Sequence, residues 1–539
     1  MAPQRGPTLG RALVALLSLS GAYARSAKCQ PRAVGDPQLL NPDEVEDEYD
    51  YIIVGGGTAG LTVADRLTES GEYTVLVIEW GPTITAPRSG PLPAAQTNLN
   101  NRTTAVIGGL MLGGSSGVNG LQAWRFHPPN EDTAEALDIK YDESYWGNTS
   151  DVHASFPTFN WPGLRLEMEA FSEIEGVEFP PDSGAGSPGV YWYPTSADPS
   201  TMTRSFSRTG HFDGIARENY NVLTDHRVLN VLFDEDSASG VRYVAKGAKN
   251  DTDARSVSAR KEVILAAGTI HTPQILQGSG IGAEALLESA GIELKVDLPG
   301  VGWNFQDHPL GGVLPLTKRK PLDSDGLSCR IRRVSLRTPD HRLRKRRLLP
   351  PLPVIAPEAF EDIASRFEAQ DPAAYLPADS PEPIGALVYL HPASRGTVYV
   401  NPENPYFAEP VVDYRAMSNP ADVDIEVEFV KFTRRYWTET SLSEYGPVET
   451  RPGEDVREDE DLRAYVRANV SPSTFHPVGT SAMLPRELGG VVDQALLVYG
   501  VSKLSVVDAS VMPDLPGAYT QQSAFAVAEK AADLIKARA

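Results

Sequence analysis

A glycine turn placed between a short apolar run and a helical pattern most limits how this chain can fold. Tyr49–Val54 is typical of a buried strand, and it leads directly into the pattern Gly55-x-Gly57-x-x-Gly60. Apolar residues at helical spacing follow, and Tyr73–Glu79 is typical of a second buried strand. Strand, turn, helix and strand in this order predict a βαβ unit with a parallel pair of strands.

The turn and the first helical residues are predicted to bind the pyrophosphate of a dinucleotide. The first glycine permits the tight turn, the second lets the backbone approach the phosphates, and the third lets helix and strand pack closely. The helix N-terminus supplies N–H groups and the positive end of the helix dipole. A carboxylate at the end of the second strand would accept hydrogen bonds from ribose hydroxyls and disfavour a 2′-phosphate. The predicted contacts are Gly55, Gly57, Thr58, Ala59, Gly60 and Glu79. The motif alone does not separate NAD from FAD.

Charge and cysteine content exclude several classes of protein. Lys and Arg number 49 against 71 Asp and Glu, which gives a net charge of −22. Such a chain repels phosphate backbones and anionic lipid, so we expect neither nucleic-acid binding nor peripheral membrane attachment. Two cysteines allow one disulfide at most, and no two histidines stand three or four residues apart, so no metal site is predicted. A length of 539 residues predicts either two to four domains or one large interwoven body.

Residues 1–24 resemble a secretory signal peptide. Arg5 and Arg11 precede the apolar run Ala12–Leu19, and Ala22-Tyr23-Ala24 fits a cleavage site. No later stretch is apolar for long enough to span a bilayer. We therefore expect a secreted or lumenal protein, the alternative being an apolar leader on a cytosolic one. Four Asn-x-Ser/Thr sequons are compatible with secretion: Asn101, Asn148, Asn250 and Asn469.

Several further elements follow from periodicity. Asn221–Phe233 and Arg260–Ala267 are predicted strands, and residues 383–413 are predicted antiparallel strands on either side of a turn. Ala421–Tyr436 and Ala524–Ile535 are predicted helices. A basic run at residues 330–347 contrasts with the acidic chain. It is interpreted either as a solvated loop or a faulty stretch of translation, or as a docking loop for an acidic partner.

Six ordered blocks of sequence resemble those of the glucose–methanol–choline (GMC) oxidoreductases. The blocks are Gly109–Asn119, Gly268–Gly282, Leu298–Pro309, His476–Thr480, Gly490–Asp493 and Val507–Ser510. The resemblance implies FAD as the cofactor and an α/β Rossmann-like FAD-binding domain. It also implies an α+β substrate domain built on an antiparallel sheet. The FAD-binding domain is expected to be discontinuous, from 48–125, 206–310 and 470–539, and the substrate domain to comprise 126–205 and 311–469.

The resemblance also implies flavin contacts outside the glycine turn. Consecutive backbone N–H groups and hydroxyls at Gly114 and Ser115 suit an anionic oxygen or a flavin edge. By analogy, Asn119 lies beside the isoalloxazine, the backbone at Val228 meets the adenine, and a C-terminal segment closes over the ribityl chain. The predicted residues of that segment are Asp508, Ala509, Thr520 and Gln521.

His476 is predicted to be the catalytic base. Oxidation of an alcohol needs a base for the hydroxyl proton, and imidazole suits this at neutral pH. Of nine histidines, only His476 lies in the C-terminal segment, within the family's active-site block. The family usually has a second His or Asn where this chain has Tyr519. Tyrosine can donate a hydrogen bond to substrate but is a poor base.

The resemblance, which is strongest to fungal members of the family, implies an FAD-dependent oxidoreductase acting on an aromatic or polyketide-derived alcohol in secondary metabolism, and the leader predicts that it is secreted. Oxygen or a quinone would reoxidise the flavin. Tyr519 leaves open a cyclase that retains flavin without redox turnover, and also a non-catalytic FAD-binding protein. A serine hydrolase is a remote alternative, because Gly113-x-Ser115-x-Gly117 fits the pattern of a nucleophile elbow.

Overall fold

The computed structural model describes residues 15–17, 37–83, 87–90, 96–102, 106–109, 111–117, 125–148, 150–156, 163–201, 203–318, 384–449 and 451–539. The basic run 330–347 and Asn119 lie outside these ranges.

The described strands are short except for those around the middle of the chain. They are β1 (Ala15–Leu17), β2 (Gln38–Leu39), β3 (Glu48–Val54), β4 (Val75–Ile78), β5 (Pro87–Gly90), β6 (Val106–Gly109), β7 (Arg125–His127), β8 (His153–Ser155), β9 (Ala197–Asp198), β10 (Thr203–Arg204), β11 (Tyr220–Leu223), β12 (His226–Asp234), β13 (Ser237–Ala245), β14 (Arg255–Leu265), β15 (Ile281–Gly282), β16 (Val296–Asp297), β17 (Leu310–Lys318), β18 (Ile384–Val388), β19 (Thr397–Tyr399), β20 (Val411–Asp413), β21 (Pro447–Glu449) and β22 (Leu504–Val506).

The described α-helices include the two predicted near residues 421 and 524. They are α1 (Thr58–Thr68), α2 (Glu131–Leu137), α3 (Gly163–Ser172), α4 (Ser207–His211), α5 (Gly268–Gly278), α6 (Glu284–Ser289), α7 (Pro420–Thr438), α8 (Asp459–Asn469) and α9 (Thr520–Ala537). Asn419 begins α7 by accepting a hydrogen bond from the Ala421 N–H at 3.0 Å.

A mixed eight-stranded sheet forms the centre of the molecule. Its order is β12-β13-β14-β3-β4-β11-β2, and β22 pairs with the C-terminal half of β14. The pairs from β2 to β14 and the β14–β22 pair are parallel, whereas β12, β13 and β14 are antiparallel. All four residues of β4 are buried, as expected for a parallel strand that is covered on both faces. Helices α1 and α9 pack together beside this sheet.

The predicted strand over Asn221–Phe233 is wrong in one respect: it is two strands. Asp225 adopts a left-handed φ of 56° between β11 and β12. Strand β11 then pairs in parallel with β4, while β12 pairs antiparallel with β13. Periodicity did not reveal the break because both halves are rich in buried apolar residues.

A second sheet lies outside the mixed one. Its order is β1-β18-β17-β21, and every pair is antiparallel. Helix α7 packs on β17, and α8 packs on α7. Strand β1 is at the edge of this sheet and belongs to the predicted signal peptide, so cleavage after residue 24 would leave the β17–β18 pair intact.

The predicted pairing of strands within residues 383–413 is also wrong. Strand β18 pairs with β17, and β19 pairs with β20 instead of folding back on β18. The segment between β18 and β19 makes its hydrogen bonds with residues that are distant in sequence. Gly396 exchanges backbone hydrogen bonds with Phe305 at 2.8 and 3.1 Å, and the Ser394 N–H donates to Asp422 at 2.8 Å. These contacts prevent a tight turn between the two strands.

Candidate active site

The glycine turn has the shape that a bound pyrophosphate requires. Gly55 has a φ of 106°, and a Cβ on Gly60 would collide with the Gly55 carbonyl oxygen. Helix α1 begins immediately after Gly57. The N–H groups of its first turn, which includes Thr58, Ala59 and Gly60, have no intrahelical acceptor and form an anion-binding end.

A second glycine turn lies directly against the first. Residues Gly114–Gly117 form a short 3-10 helix, and the Gly113 N–H donates to the Gly56 carbonyl at 2.8 Å. A Cβ on Gly114 would lie 2.8 Å from the Gly57 Cα, so only glycine fits. Ser115 is exposed at this junction. The two turns therefore present their backbones together, as a cradle for an extended dinucleotide.

Glu79 is buried at the end of β4, beside the first turn. Its two carboxylate oxygens accept hydrogen bonds from the Gly56 N–H at 2.7 Å and from the Gly81 N–H at 2.6 Å. Burial raises the pKa of Glu79 to about 7, against the lowering effect of these two N–H groups. Each oxygen keeps a further lone pair, so the carboxylate can still accept from a ribose hydroxyl.

Two of the C-terminal residues predicted to contact the cofactor, Asp508 and Ala509, follow the end of β22. Asp508 is buried, and its carboxylate accepts from the Gly268 N–H, the Thr272 hydroxyl and the Ser510 N–H at 2.9, 2.6 and 2.8 Å. It therefore joins β22 to α5. Ala509 begins the next 3-10 turn. Thr520 and Gln521 open α9, so their backbones lie at a second helix N-terminus.

Val228 lies in β12 beside a cluster of residues that sequence reasoning missed. The Arg227 guanidinium lies 4.6 Å from the centre of the Trp80 ring, and Trp80 packs edge-on against His271 at 5.1 Å. Trp80 directly follows Glu79. The cluster thus borders the end of the site where the adenosine was predicted.

His476 lies among three partners that come from different parts of the chain. Its Nδ1 is 3.0 Å from His308 Nδ1 and 2.9 Å from the Thr474 hydroxyl oxygen. Its ring packs edge-on against Tyr519, with 4.9 Å between centroids. Within the described part of the chain, His476 Nε2 makes no hydrogen bond. Burial, and secondarily His308, lowers the pKa of His476 to about 3.

A buried carboxylate holds the two histidine segments together. Asp307 accepts from the backbone N–H groups of His308 and His476 at 2.7 and 3.0 Å, and from the Ser473 hydroxyl at 2.6 Å. Burial raises the pKa of Asp307 to about 7 despite these donors. Asp307 and His308 are in the block Leu298–Pro309, but nothing in the sequence placed that block against His476.

Comparison with known proteins identifies the family. Two GMC oxidoreductase profiles match this chain, the N-terminal one over residues 183–310 and the C-terminal one over 392–528. A dehydrogenase named xptC from Emericella nidulans is 32% identical, over 92% of this chain and 94% of its own. The chain belongs to the GMC oxidoreductase family. Pyranose dehydrogenase 3 of Leucoagaricus meleagris is 29% identical over 92% of this chain and 94% of its own.

Solved GMC structures confirm the predicted fold class. A fungal aryl-alcohol oxidase superposes with a TM-score of 0.76 at 30% identity, covering 92% of this chain and all of that one. An FAD-dependent oxidoreductase from Chaetomium thermophilum gives the same TM-score at 32% identity, covering 91% of this chain and 99% of its own. The cofactor of this GMC oxidoreductase is FAD, and its donor is a CH–OH group.

The cradle described above fits FAD, because paired glycine turns, a buried carboxylate and the N-terminus of α1 meet there. The individual contacts remain predictions. The turn at Ser115 does not resemble a nucleophile elbow, since it is a 3-10 turn packed on Gly57 and not the end of a strand. None of the described helices is long and apolar enough to cross a bilayer.

Proposed function

We propose that this GMC oxidoreductase oxidises an aromatic or polyketide-derived alcohol, with His476 as the base. The observation that supports this most is that His476 Nε2 makes no hydrogen bond to any residue that the structure describes, whereas Nδ1 of the same ring does. Because its pKa is lowered, the imidazole is neutral at physiological pH and can accept a proton. Bound FAD supplies the hydride acceptor.

The surroundings of His476 favour an aromatic substrate. Phe475 precedes it in a left-handed conformation with φ of 66°, and half of its surface is exposed. The Tyr519 ring packs edge-on against the imidazole itself. This ring beside the base can pack against an aromatic ring of the substrate. Aryl-alcohol oxidase among the structural neighbours supports the same class.

The test is anaerobic stopped-flow at about 450 nm, where oxidised flavin absorbs. A panel of substituted benzyl alcohols should bleach the flavin of the wild-type protein. General-base catalysis is worth about 10²–10⁴-fold, so His476→Ala should slow bleaching by that factor. Full flavin content in the variant would show that the loss is chemical. Equal bleaching rates in the two proteins would refute the role of His476.

Tyr519 supports a second candidate, a cyclase that keeps FAD without redox turnover. It lies beside His476 where the family usually has His or Asn. In that case His476 would act as acid or base on a carbonyl substrate. The cyclase predicts turnover of a keto or aldehyde compound with no bleaching by any alcohol, which the same instrument measures.

We further propose that the protein is secreted and acts in a fungal secondary-metabolite pathway. Oxygen or a quinone would then accept the electrons from the flavin. The asparagines of all four sequons, Asn101, Asn148, Asn250 and Asn469, are exposed, as glycosylation requires. Expression in a secreting fungal host should give a protein whose N-terminus is Arg25 and whose mass falls after deglycosylation. A retained N-terminus would refute the signal peptide.

A further inference from the structure

Which nitrogen of His476 carries the proton decides whether it can act as a base, and this inference rests on the proposed function above. The neutral imidazole has one N–H and one bare nitrogen, and hydrogen-bond partners select between them. Two independent chains of hydrogen bonds lead from backbone carbonyl groups to His476 Nδ1. A carbonyl oxygen can only accept, so each chain has a fixed direction.

The first chain runs through His308. Its Nε2 lies 3.1 Å from the Pro516 carbonyl oxygen, and this contact requires an N–H on Nε2. Burial lowers the pKa of His308 to about 4, outweighing the carbonyl groups of Pro516 and Leu390, and His391 acts in the same direction as burial. His308 is therefore neutral at pH 7, and its Nδ1 is bare. The 3.0 Å contact between the two Nδ1 atoms then needs the proton on His476.

The second chain runs through Thr474. Its hydroxyl donates to the His308 carbonyl oxygen at 3.2 Å, which uses its single hydrogen. The hydroxyl oxygen can then only accept from His476 Nδ1, which lies 2.9 Å away. The second series of hydrogen bonds thus requires the Nδ1–H tautomer of His476, as the first does. The first series starts at the Pro516 carbonyl and the second at the His308 carbonyl, and the only atom that they share is His476 Nδ1.

We infer that His308 and Thr474 are positioning residues that hold His476 as the Nδ1–H tautomer and leave Nε2 bare for the substrate hydroxyl. In the proton transfer, the alcohol O–H bond breaks and a bond from Nε2 to hydrogen forms. The Nδ1–H of the resulting imidazolium still donates to both acceptors, His308 Nδ1 and the Thr474 hydroxyl oxygen. These charge-assisted hydrogen bonds are stronger than those of the neutral ring, which favours the transfer.

Matched pairs of variants separate this role from packing. His308→Asn keeps an acceptor oxygen near the position of Nδ1, whereas His308→Leu has none. Thr474→Ser keeps the hydroxyl, whereas Thr474→Val has the same shape without it. A lost hydrogen bond is worth roughly 2- to 12-fold, so we expect His308→Leu and Thr474→Val each to slow flavin bleaching by benzyl alcohol by about that factor. His308→Asn and Thr474→Ser should keep most of the wild-type rate, at the same flavin content and melting temperature as their partners. Equal rates within each pair would overturn the inference.

Nitrogen NMR of the FAD-loaded protein tests the tautomer without any substrate. Histidine labelled with ¹⁵N in the ring gives distinct long-range ¹H–¹⁵N patterns for the two tautomers, and His476→Gln identifies the signal. We expect His476 as the Nδ1–H form in wild type, and as a mixture in a His308→Leu/Thr474→Val double variant. An Nε2–H form in wild type would overturn the inference. An Nδ1–H form in a protein whose flavin no alcohol bleaches would support the inference while refuting the proposed oxidation.

Discussion

Burial and a neighbouring imidazole both act on the proton of His476. The charged form loses hydration in the site, and a positive charge on His308 at 3.0 Å would repel it. The neutral form, which is the proposed base, therefore persists far below the ordinary pKa of about 6.5. We predict that the rate of flavin bleaching stays constant from pH 8 down to about 5 and declines with an apparent pKa near 3. A midpoint near that of free imidazole would contradict the prediction.

Tyr519 is the second side chain that decides the chemistry at the residue scale. Burial, with Tyr193 as a smaller cause, raises its pKa, so its hydroxyl stays protonated and can only donate or accept hydrogen bonds. We predict that Tyr519→Phe lowers the bleaching rate by no more than about tenfold, the value of one hydrogen bond. Tyr519→His, which restores the family's usual pair, should raise it. A loss in Tyr519→Phe as large as that in His476→Ala would make tyrosine an essential catalytic group.

At the scale of elements, the cofactor cradle depends on joints between segments that are distant in sequence. Arg66 of α1 pairs with Asp533 of α9 at 2.9 Å and also with Glu529. The buried Asp508 joins the end of β22 to the start of α5 through two donors, the Gly268 N–H and the Thr272 hydroxyl, and it also accepts from the nearby Ser510 N–H. Surface ion pairs such as those of Arg66 contribute little to the free energy of unfolding, so we expect the buried contacts of Asp508 to contribute more.

Asp508→Asn should therefore weaken both the fold and FAD binding. The amide keeps one acceptor oxygen, but its NH₂ group faces a donor, and a buried unpaired donor costs about 1–3 kcal/mol. We expect a loss of unfolding free energy of that size in urea titrations, together with weaker FAD retention on gel filtration. Asp514→Asn is the matched control, because that carboxylate is largely exposed and should change neither quantity. Wild-type behaviour of Asp508→Asn would show that the joint is dispensable.

At the scale of the whole molecule, stability should depend on a carboxyl group far from the cofactor turn. Glu426 of α7 is fully buried, and neither of its carboxyl oxygens has a hydrogen-bond partner among the residues that the structure describes. It lines a cavity of about 120 Å³ with Leu310, Tyr465 and Val466. Burial, helped by Asp422, raises its pKa to about 8.

The folded protein therefore binds this proton more tightly than the unfolded chain does. The associated stability is complete below about pH 4 and is lost as the pH rises to about 8. Glu426→Gln removes this loss, so we predict a gain of about 1–3 kcal/mol in unfolding free energy at pH 8 and none at pH 4. Urea unfolding at both pH values measures it, and Glu428→Gln, exposed on the same helix, is the control. A gain that is equal at both pH values would contradict this origin.

The sequence by itself determined the local elements around the cofactor turn and the family. Strand β3, the glycine turn, α1 and β4 follow from apolar spacing and from backbone conformations that only glycine adopts, and these are local properties. The long helices α7 and α9 follow from periodicity in the same way. The break at Asp225 and the partners of β18 and β19 did not follow, because strand pairing is chosen by distant segments.

Only the tertiary structure decided what surrounds His476, the proposed catalytic base. The sequence singled out His476 from its block and from its place among nine histidines. The sequence offers no reason why His308, 168 residues earlier, should lie with its Nδ1 3.0 Å from His476 Nδ1. It also offers no reason why the Pro516 carbonyl should contact the other nitrogen of His308. Asp307 brings the two segments together because a buried carboxylate must find donors, and it finds them in the backbone N–H groups of both histidines and in the Ser473 hydroxyl. The state of the base is therefore a property of packing between distant segments, which periodicity and motifs do not encode.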